Sequence, residues 1–259
     1  MSRAISICLV AAAFLLSSQT ARAQNPVVRF ATTEGSFDIE LCEELSTLCL
    51  GVAPGTVTNF LNYVDRGDYQ NSIIHRNAVP PKYGTEFVIQ GGGFFLDVDQ
   101  QIRAIPTDPP VTNTFNQSNK RGTVAMARSA EVNSATNQWF VNLSDNGGTA
   151  PYGLDFQNEG FTVFGVVTGD GMVTVDAIAD LGYWLMDHIG FTPIYDPDSI
   201  RFAFNETPMR PGMAPVSVAE DALPFFITMN ITRVPEPGPA TRAIAAGIAL
   251  AAIARRRAK

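Results

Sequence analysis

Phe87-Val88-Ile89-Gln90-Gly91-Gly92-Gly93 reads as a short apolar strand that runs into a glycine turn. The glycine run is too short and wrongly placed for a phosphate-binding loop. Ten residues, Asn77–Glu86, separate this stretch from an upstream strand, Ser72–His75, which ends at Arg76. Three more short apolar runs follow downstream, at Thr123–Ala127, Trp139–Leu143 and Phe161–Val167. Toward the N-terminus, Val28, Phe30 and Thr32 alternate with polar residues. Glu34-Gly35 makes a turn, and Phe37, Ile39 and Leu41 alternate again, which predicts a hairpin. An amphipathic helix follows, with Pro54 near its start, Val57, Phe60, Leu61 and Val64 at helical spacing, and Gly67 as its stop. A second helix is expected over Met172–Leu181, and a late strand over Phe225–Arg233. Many short strands with two helices predict a mainly β barrel or sandwich capped by helices. Residues 182–224 are irregular and proline-rich, and read as an insertion or a partly structured cover.

The 259 residues are 46% apolar and 17% charged, enough for a packed core and against a disordered or coiled-coil chain. The formal charge is −7. The two terminal segments described next hold seven of the basic residues and one acidic residue. Between them remain 11 basic and 24 acidic side chains. Nucleic acid and anionic lipid are bound through Lys and Arg, so this balance argues against both as partners of the central region.

Residues 1–23 read as an export signal: Arg3, an apolar stretch from Ile5 to Leu16, and the small-x-small site Ala21-Arg22-Ala23. The alternative is a buried N-terminal helix. Export implies a bacterial periplasm, cell envelope or extracellular matrix. At the other end, residues 234–259 begin with Val234-Pro235-Glu236-Pro237, continue as an apolar helix from Ala243 to Ala254, and close on Arg255-Arg256-Arg257-Ala258-Lys259. Twelve residues span about 18 Å as a helix, short of a bilayer core of roughly 30 Å. This tail resembles a PEP-CTERM sorting signal. That resemblance implies processing by an exosortase-type enzyme and a possible attachment to the envelope membrane; an ordinary weak anchor is the alternative. Cys8 lies in the export signal. Cys42 and Cys49 stay in the mature chain as a disulfide candidate, with free buried thiols as the alternative. No His or third Cys lies near them, so no metal site is expected.

Four segments in order carry a further resemblance: Ile73-Ile74-His75-Arg76 with Phe87-Val88-Ile89-Gln90-Gly91-Gly92; Gly122-Thr123-Val124-Ala125-Met126-Ala127-Arg128; Asn137-Gln138-Trp139-Phe140-Val141-Asn142; and Phe161-Thr162-Val163-Phe164-Gly165. Together they resemble the cyclophilin family from about Val28 to Leu181 and again at Phe225–Arg233. The resemblance implies a domain over residues 27–233 with a closed eight-stranded antiparallel barrel capped by two helices. It implies a monomeric peptidyl-prolyl cis-trans isomerase without cofactor, acting on proline-containing polypeptides. Arg76 matches the catalytic arginine. Phe87 and Val88 match apolar pocket positions, and Gln90 the glutamine on the substrate backbone. Ala127 and Arg128 match the backbone-contact edge, with Gln138 beside it. Phe140 matches the pocket floor and Leu154 a pocket wall. Many eukaryotic members carry Trp where Gly153 stands and His where Phe161 stands. That Trp supports cyclosporin binding, so weak affinity for the drug is expected here.

Such residues suffice for the reaction. Rotation of an X–Pro amide faces a barrier of about 18–20 kcal/mol but breaks no bond, so it needs no nucleophile, base or metal. Two rival readings share these residues: a proline-binding or chaperone module with little turnover, and a structural component of a surface matrix.

Overall fold

The hairpin that opens the domain follows its period-two pattern. In the computed structural model, β1 (Val27–Thr32) and β2 (Gly35–Leu41) pair with Phe30 opposite Phe37 and Val28 opposite Ile39. These four side chains are buried and the residues between them face outward. The structure describes residues 24–78, 87–99, 101–148, 153–181, 183–184, 207–208 and 226–236. The export signal, most of 182–224, residues 79–86 of the Asn77–Glu86 stretch and the tail from 237 onward lie outside the described residues.

Helix α1 (Pro54–Arg66) starts on its proline and stops at Gly67, whose φ is 78°. Gly67 N–H donates to Val64 O and Asp68 N–H to Tyr63 O, satisfying the last carbonyls in a left-handed cap. Its buried face carries Val57, Phe60, Tyr63 and Val64 into the main core. There Phe60 meets Phe164 at 4.9 Å between ring centres, and Phe30 meets Trp139 edge-on at 5.0 Å. Such pairs are worth about 0.5–1.5 kcal/mol each beyond their buried area.

The remaining strands are β3 (Ser72–Ile73), β4 (Arg76–Ala78), β5 (Val88–Gly91), β6 (Phe94–Leu96), β7 (Ile102–Ala104), β8 (Thr123–Met126), β9 (Trp139–Asn142) and β10 (Val163–Val167). Helix α2 (Gly171–Ala179) comes next. A two-residue ladder joins β11 (Tyr183–Trp184) to β12 (Thr207–Pro208), and β13 (Thr228–Arg233) ends the order. Helix α2 and strands β10 and β13 are each shorter than the sequence pattern predicts.

Among the described residues the fold is mainly β with two α-helices, but the sheet is not the closed eight-stranded barrel that was expected. Eleven strands form one open sheet in the order β4-β5-β9-β8-β10-β2-β1-β13-β3-β6-β7. One expected strand, Ser72–His75, is divided. Ile74 N–H donates to Ile227 O, whereas His75 N–H donates to Gln90 O. Strand β3 pairs with β13 and β6, whereas β4 pairs with β5, so Ser72–His75 supplies β3 toward one end of the sheet and leads into β4 at the other. The glycine turn expected after Gln90 separates β5 from β6 at Gly92, where φ is +84°, a conformation that suits glycine.

Candidate active site

Strands β5, β9, β8 and β10 are buried on both faces, and alternation divides their side chains between two apolar clusters. Ile89, Val141, Val124, Met126, Trp139 and Phe164 face the main core. Val88, Phe140, Ala125 and Val163 face the other way, with Ala78 and Leu154, and with half-buried Phe87, Ala127 and Phe161 packed against them. This second cluster is the candidate proline pocket.

Its polar rim is set by strand register. Arg76 stands opposite Gln90, Gln90 opposite Phe140, Phe140 opposite Ala125, and Ala125 opposite Val163. One row thus crosses five strands, beginning with a cation, passing through an amide and ending on apolar side chains. Facing neighbours in such a row lie about 4.5–5.5 Å apart at Cβ. Arg76 Nη1 donates to Gln90 Oε1 at 3.4 Å, and Gln90 Nε2 donates to Gln138 Oε1 at 2.8 Å. Three of the four polar residues named from the sequence, Arg76, Gln90 and Gln138, are therefore joined, and Phe140 lies beside them at 5% exposure.

Around the pocket the loops are held from behind. Phe87 O accepts from Leu143 N–H and from Asn146 Nδ2, while Phe87 N–H donates to Ala78 O. Phe161 meets Phe140 edge-on, ring centres 5.8 Å apart. Arg128 lies over the ring of Phe161, Cζ to ring centre 4.4 Å. Its Nη2 donates to the carbonyls of Gln157, Asn158 and Gly160. The guanidinium is thus occupied with the turn that carries Phe161, and burial holds its pKa below the usual arginine value while Glu159 opposes that shift. Ala127 keeps its backbone N–H on Gln138 O. Leu154 is buried, its N–H on Asn146 O and its O accepting from Phe161 N–H.

Sequence reading missed Ala78, Ala125 and Val163 as pocket residues. Period-two spacing from residues already named was the signal that finds them: Ala78 from Arg76, Ala125 from Ala127 and Val163 from Phe161. At Gly153 the reason for glycine is steric: a Cβ would stand 1.7 Å from Gly147 O. Cys42 and Cys49, outside this site, are joined by a disulfide with Cα atoms 5.2 Å apart.

A family model described as cyclophilin type peptidyl-prolyl cis-trans isomerase/CLD matches residues 27–189. The chain is 36% identical over 156 residues to peptidyl-prolyl cis-trans isomerase A of Dickeya dadantii (strain 3937), covering 60% of this chain and 71% of that one. It is 38% identical over 154 residues to peptidyl-prolyl cis-trans isomerase B of Escherichia coli (strain K12), covering 59% and 83%. It is 40% identical over 126 residues to peptidyl-prolyl cis-trans isomerase cyp18 of Streptomyces antibioticus, covering 49% and 70%. The chain belongs to the cyclophilin-type peptidyl-prolyl cis-trans isomerase family. It is an isomerase (rotamase) of that type, whose substrates are proline-containing polypeptides.

Proposed function

We propose that this isomerase rotates X–Pro bonds in exported polypeptides as they fold, with the row that begins at Arg76 as its working surface. The observation that carries the reading is that row: a cation and an amide in register with an apolar floor at Phe140. In the twisted transition state the proline nitrogen turns pyramidal and regains a lone pair. Arg76 donates a hydrogen bond to it, an interaction weak in the planar ground state and strong at the top of the barrier. A charge-assisted bond of this kind contributes about 2–4 kcal/mol. Phe140, Val88, Phe87, Leu154 and Phe161 hold the proline ring while the carbonyl side turns. Gln90, Gln138 and the backbone at Ala127–Arg128 grip the flanking peptide.

Residues 1–23 serve as the export signal and residues 234–259 as a sorting tail processed by an exosortase-type enzyme, so the domain over 27–233 works in the bacterial envelope or beyond it. The Cys42–Cys49 bridge supports an oxidising compartment. A protease-coupled assay on an Ala-Pro-Phe-type peptide tests the site. N-terminal sequencing of the envelope fraction tests export: a mature chain that starts at Gln24 supports it, and one that starts at Met1 contradicts it. Intact mass tests the tail, since a C-terminus at Lys259 argues against processing.

A further inference from the structure

Phe161 packs in the second apolar cluster but lies in no strand, so the chain on either side of it sets where its ring stands. Before it, Asn158, Glu159 and Gly160 have φ of 45°, 69° and 80°. Left-handed residues that carry side chains persist only where surrounding groups hold them. After it, buried Thr162 leads into β10. Asn113 reaches both sides at once. Its Nδ2 donates to Gly160 O at 3.1 Å and to Glu159 O at 3.4 Å, and its Oδ1 accepts from Thr162 Oγ1 at 2.7 Å. Phe115, two residues on, packs so close to Gly160 that a Cβ there would stand 2.6 Å from its ring.

The direction of these bonds fixes the Asn113 amide. Backbone carbonyls only accept, so the NH2 end belongs on Glu159 and Gly160. Thr162 Oγ1 accepts from Thr114 N–H at 2.8 Å and gives its own hydrogen to Asn113 Oδ1. A flipped amide would set its oxygen against two carbonyls. The backbone N–H of Asn113 donates to Asn133 Oδ1 at 2.8 Å, in the loop that leads to β9 and Phe140. Asn113 thus ties the approach to Phe140 to the approach to Phe161, whose rings meet edge-on. Arg128 holds the carbonyls on one side of Phe161, whereas Asn113 spans it.

We propose that Asn113 is a positioning residue: by bridging Gly160 and Thr162 it holds the Phe161 ring against Phe140 and so sets the width of the proline pocket. The proposal rests on the reading of Phe161 as a pocket wall. Asn113→Ala removes the bridge. Asn113→Asp keeps the volume and the acceptor for Thr162, but it loses the donor and faces two carbonyls with a carboxylate. In steady-state kinetics on a proline peptide, Asn113→Ala is expected to raise KM about fivefold with kcat within about twofold, and Asn113→Asp to raise KM at least as much. Phe161→Leu is expected to raise KM as well. Adding Asn113→Ala to Phe161→Leu is expected to change KM less than about 1.5-fold further, because no ring is left to hold. In 15N-labelled wild-type protein the Asn113 side-chain NH2 is expected to exchange about tenfold or more slowly than that of an exposed asparagine. A folded Asn113→Ala or Asn113→Asp with wild-type KM overturns the proposal. Effects of Asn113→Ala and Phe161→Leu that simply multiply overturn it too. Fast exchange of the wild-type NH2 does the same, even if no variant folds. A folded Phe161→Leu with wild-type KM overturns the reading of Phe161 itself. A raised KM in Phe161→Leu beside a wild-type KM in folded Asn113→Ala overturns the positioning role alone.

Discussion

Arg128 lies over the ring of Phe161, its Cζ 4.4 Å from the ring centre, while its Nη2 ties three carbonyls of the turn that leads into Phe161. The residue named from the sequence as a substrate contact therefore spends its side chain on the pocket wall. Arg128→Leu removes the charged donor from all three carbonyls, leaving Gln157 O with Gly160 N–H and Gly160 O with Asn113 Nδ2, and frees the Phe161 ring to tilt away from Phe140. Hydrogen bonds to a charged group and a half-exposed cation–π contact together suggest a stability loss of about 1–3 kcal/mol. KM for a proline peptide is expected to rise about threefold or more, with kcat changed less. Urea unfolding and steady-state kinetics check this; unchanged stability and KM contradict it.

His75 makes stability depend on pH. Burial is the largest cause lowering its pKa to about 4, the Arg76 charge adds to the shift, and hydrogen bonds with Ile73 and Gln138 oppose it. Above pH 6.5 the ring is neutral whether the chain is folded or not, so it adds no pH dependence. As pH falls from 6.5 toward 4, the unfolded chain gains a proton that the folded protein refuses, and stability drops. The drop reaches about 2–3 kcal/mol near pH 4.5 at 1.36 kcal/mol per pKa unit. His75→Gln is expected to remove that part of the slope. Urea unfolding of both proteins at pH 7 and pH 4.5 decides it: equal losses in the two mean that the ring does not titrate as described.

The Cys42–Cys49 bridge closes a short loop between β2 and α1, while the row lies on β4, β5, β9, β8 and β10. Replacing both cysteines by alanine is expected to cost about 2–3 kcal/mol of stability through loop entropy and to leave kcat/KM within about twofold. Equilibrium unfolding beside the isomerase assay tests both halves, and a tenfold fall in kcat/KM at full occupancy of the folded state contradicts the second.

Gly153 packs so close to Gly147 O that no Trp fits there without moving the loop. Cyclosporin is accordingly expected to inhibit only weakly. Inhibition at stoichiometric concentration in the peptide assay contradicts this.

What the sequence displays best is what neighbouring residues decide. The β1–β2 hairpin showed in its alternation because one face of each strand meets the core. Helix α1 showed in its spacing and in Pro54 and Gly67, which set its two ends locally. The break between β3 and β4 depends on Ile227 and Gln90, distant in the chain, and nothing within Ser72–His75 announces it. Strands β8 and β9 are buried on both faces, so an unbroken apolar run hides which side chain faces which cluster. Trp139 and Phe140 look alike in sequence, yet one fills the main core and the other joins the second apolar cluster. The site was legible as a set of residues through their order along the chain. Its wiring was not, because the link from Arg76 through Gln90 to Gln138 is a matter of register.

The most direct test is the protease-coupled isomerase assay on wild-type protein and Arg76→Ala. Wild type is expected to exceed the uncatalysed rate. Arg76→Ala is expected to lose about 30- to 1,000-fold in kcat/KM, the rate equivalent of 2–4 kcal/mol, with its folding intact and KM little changed. A folded Arg76→Ala that turns over at the wild-type rate contradicts the account.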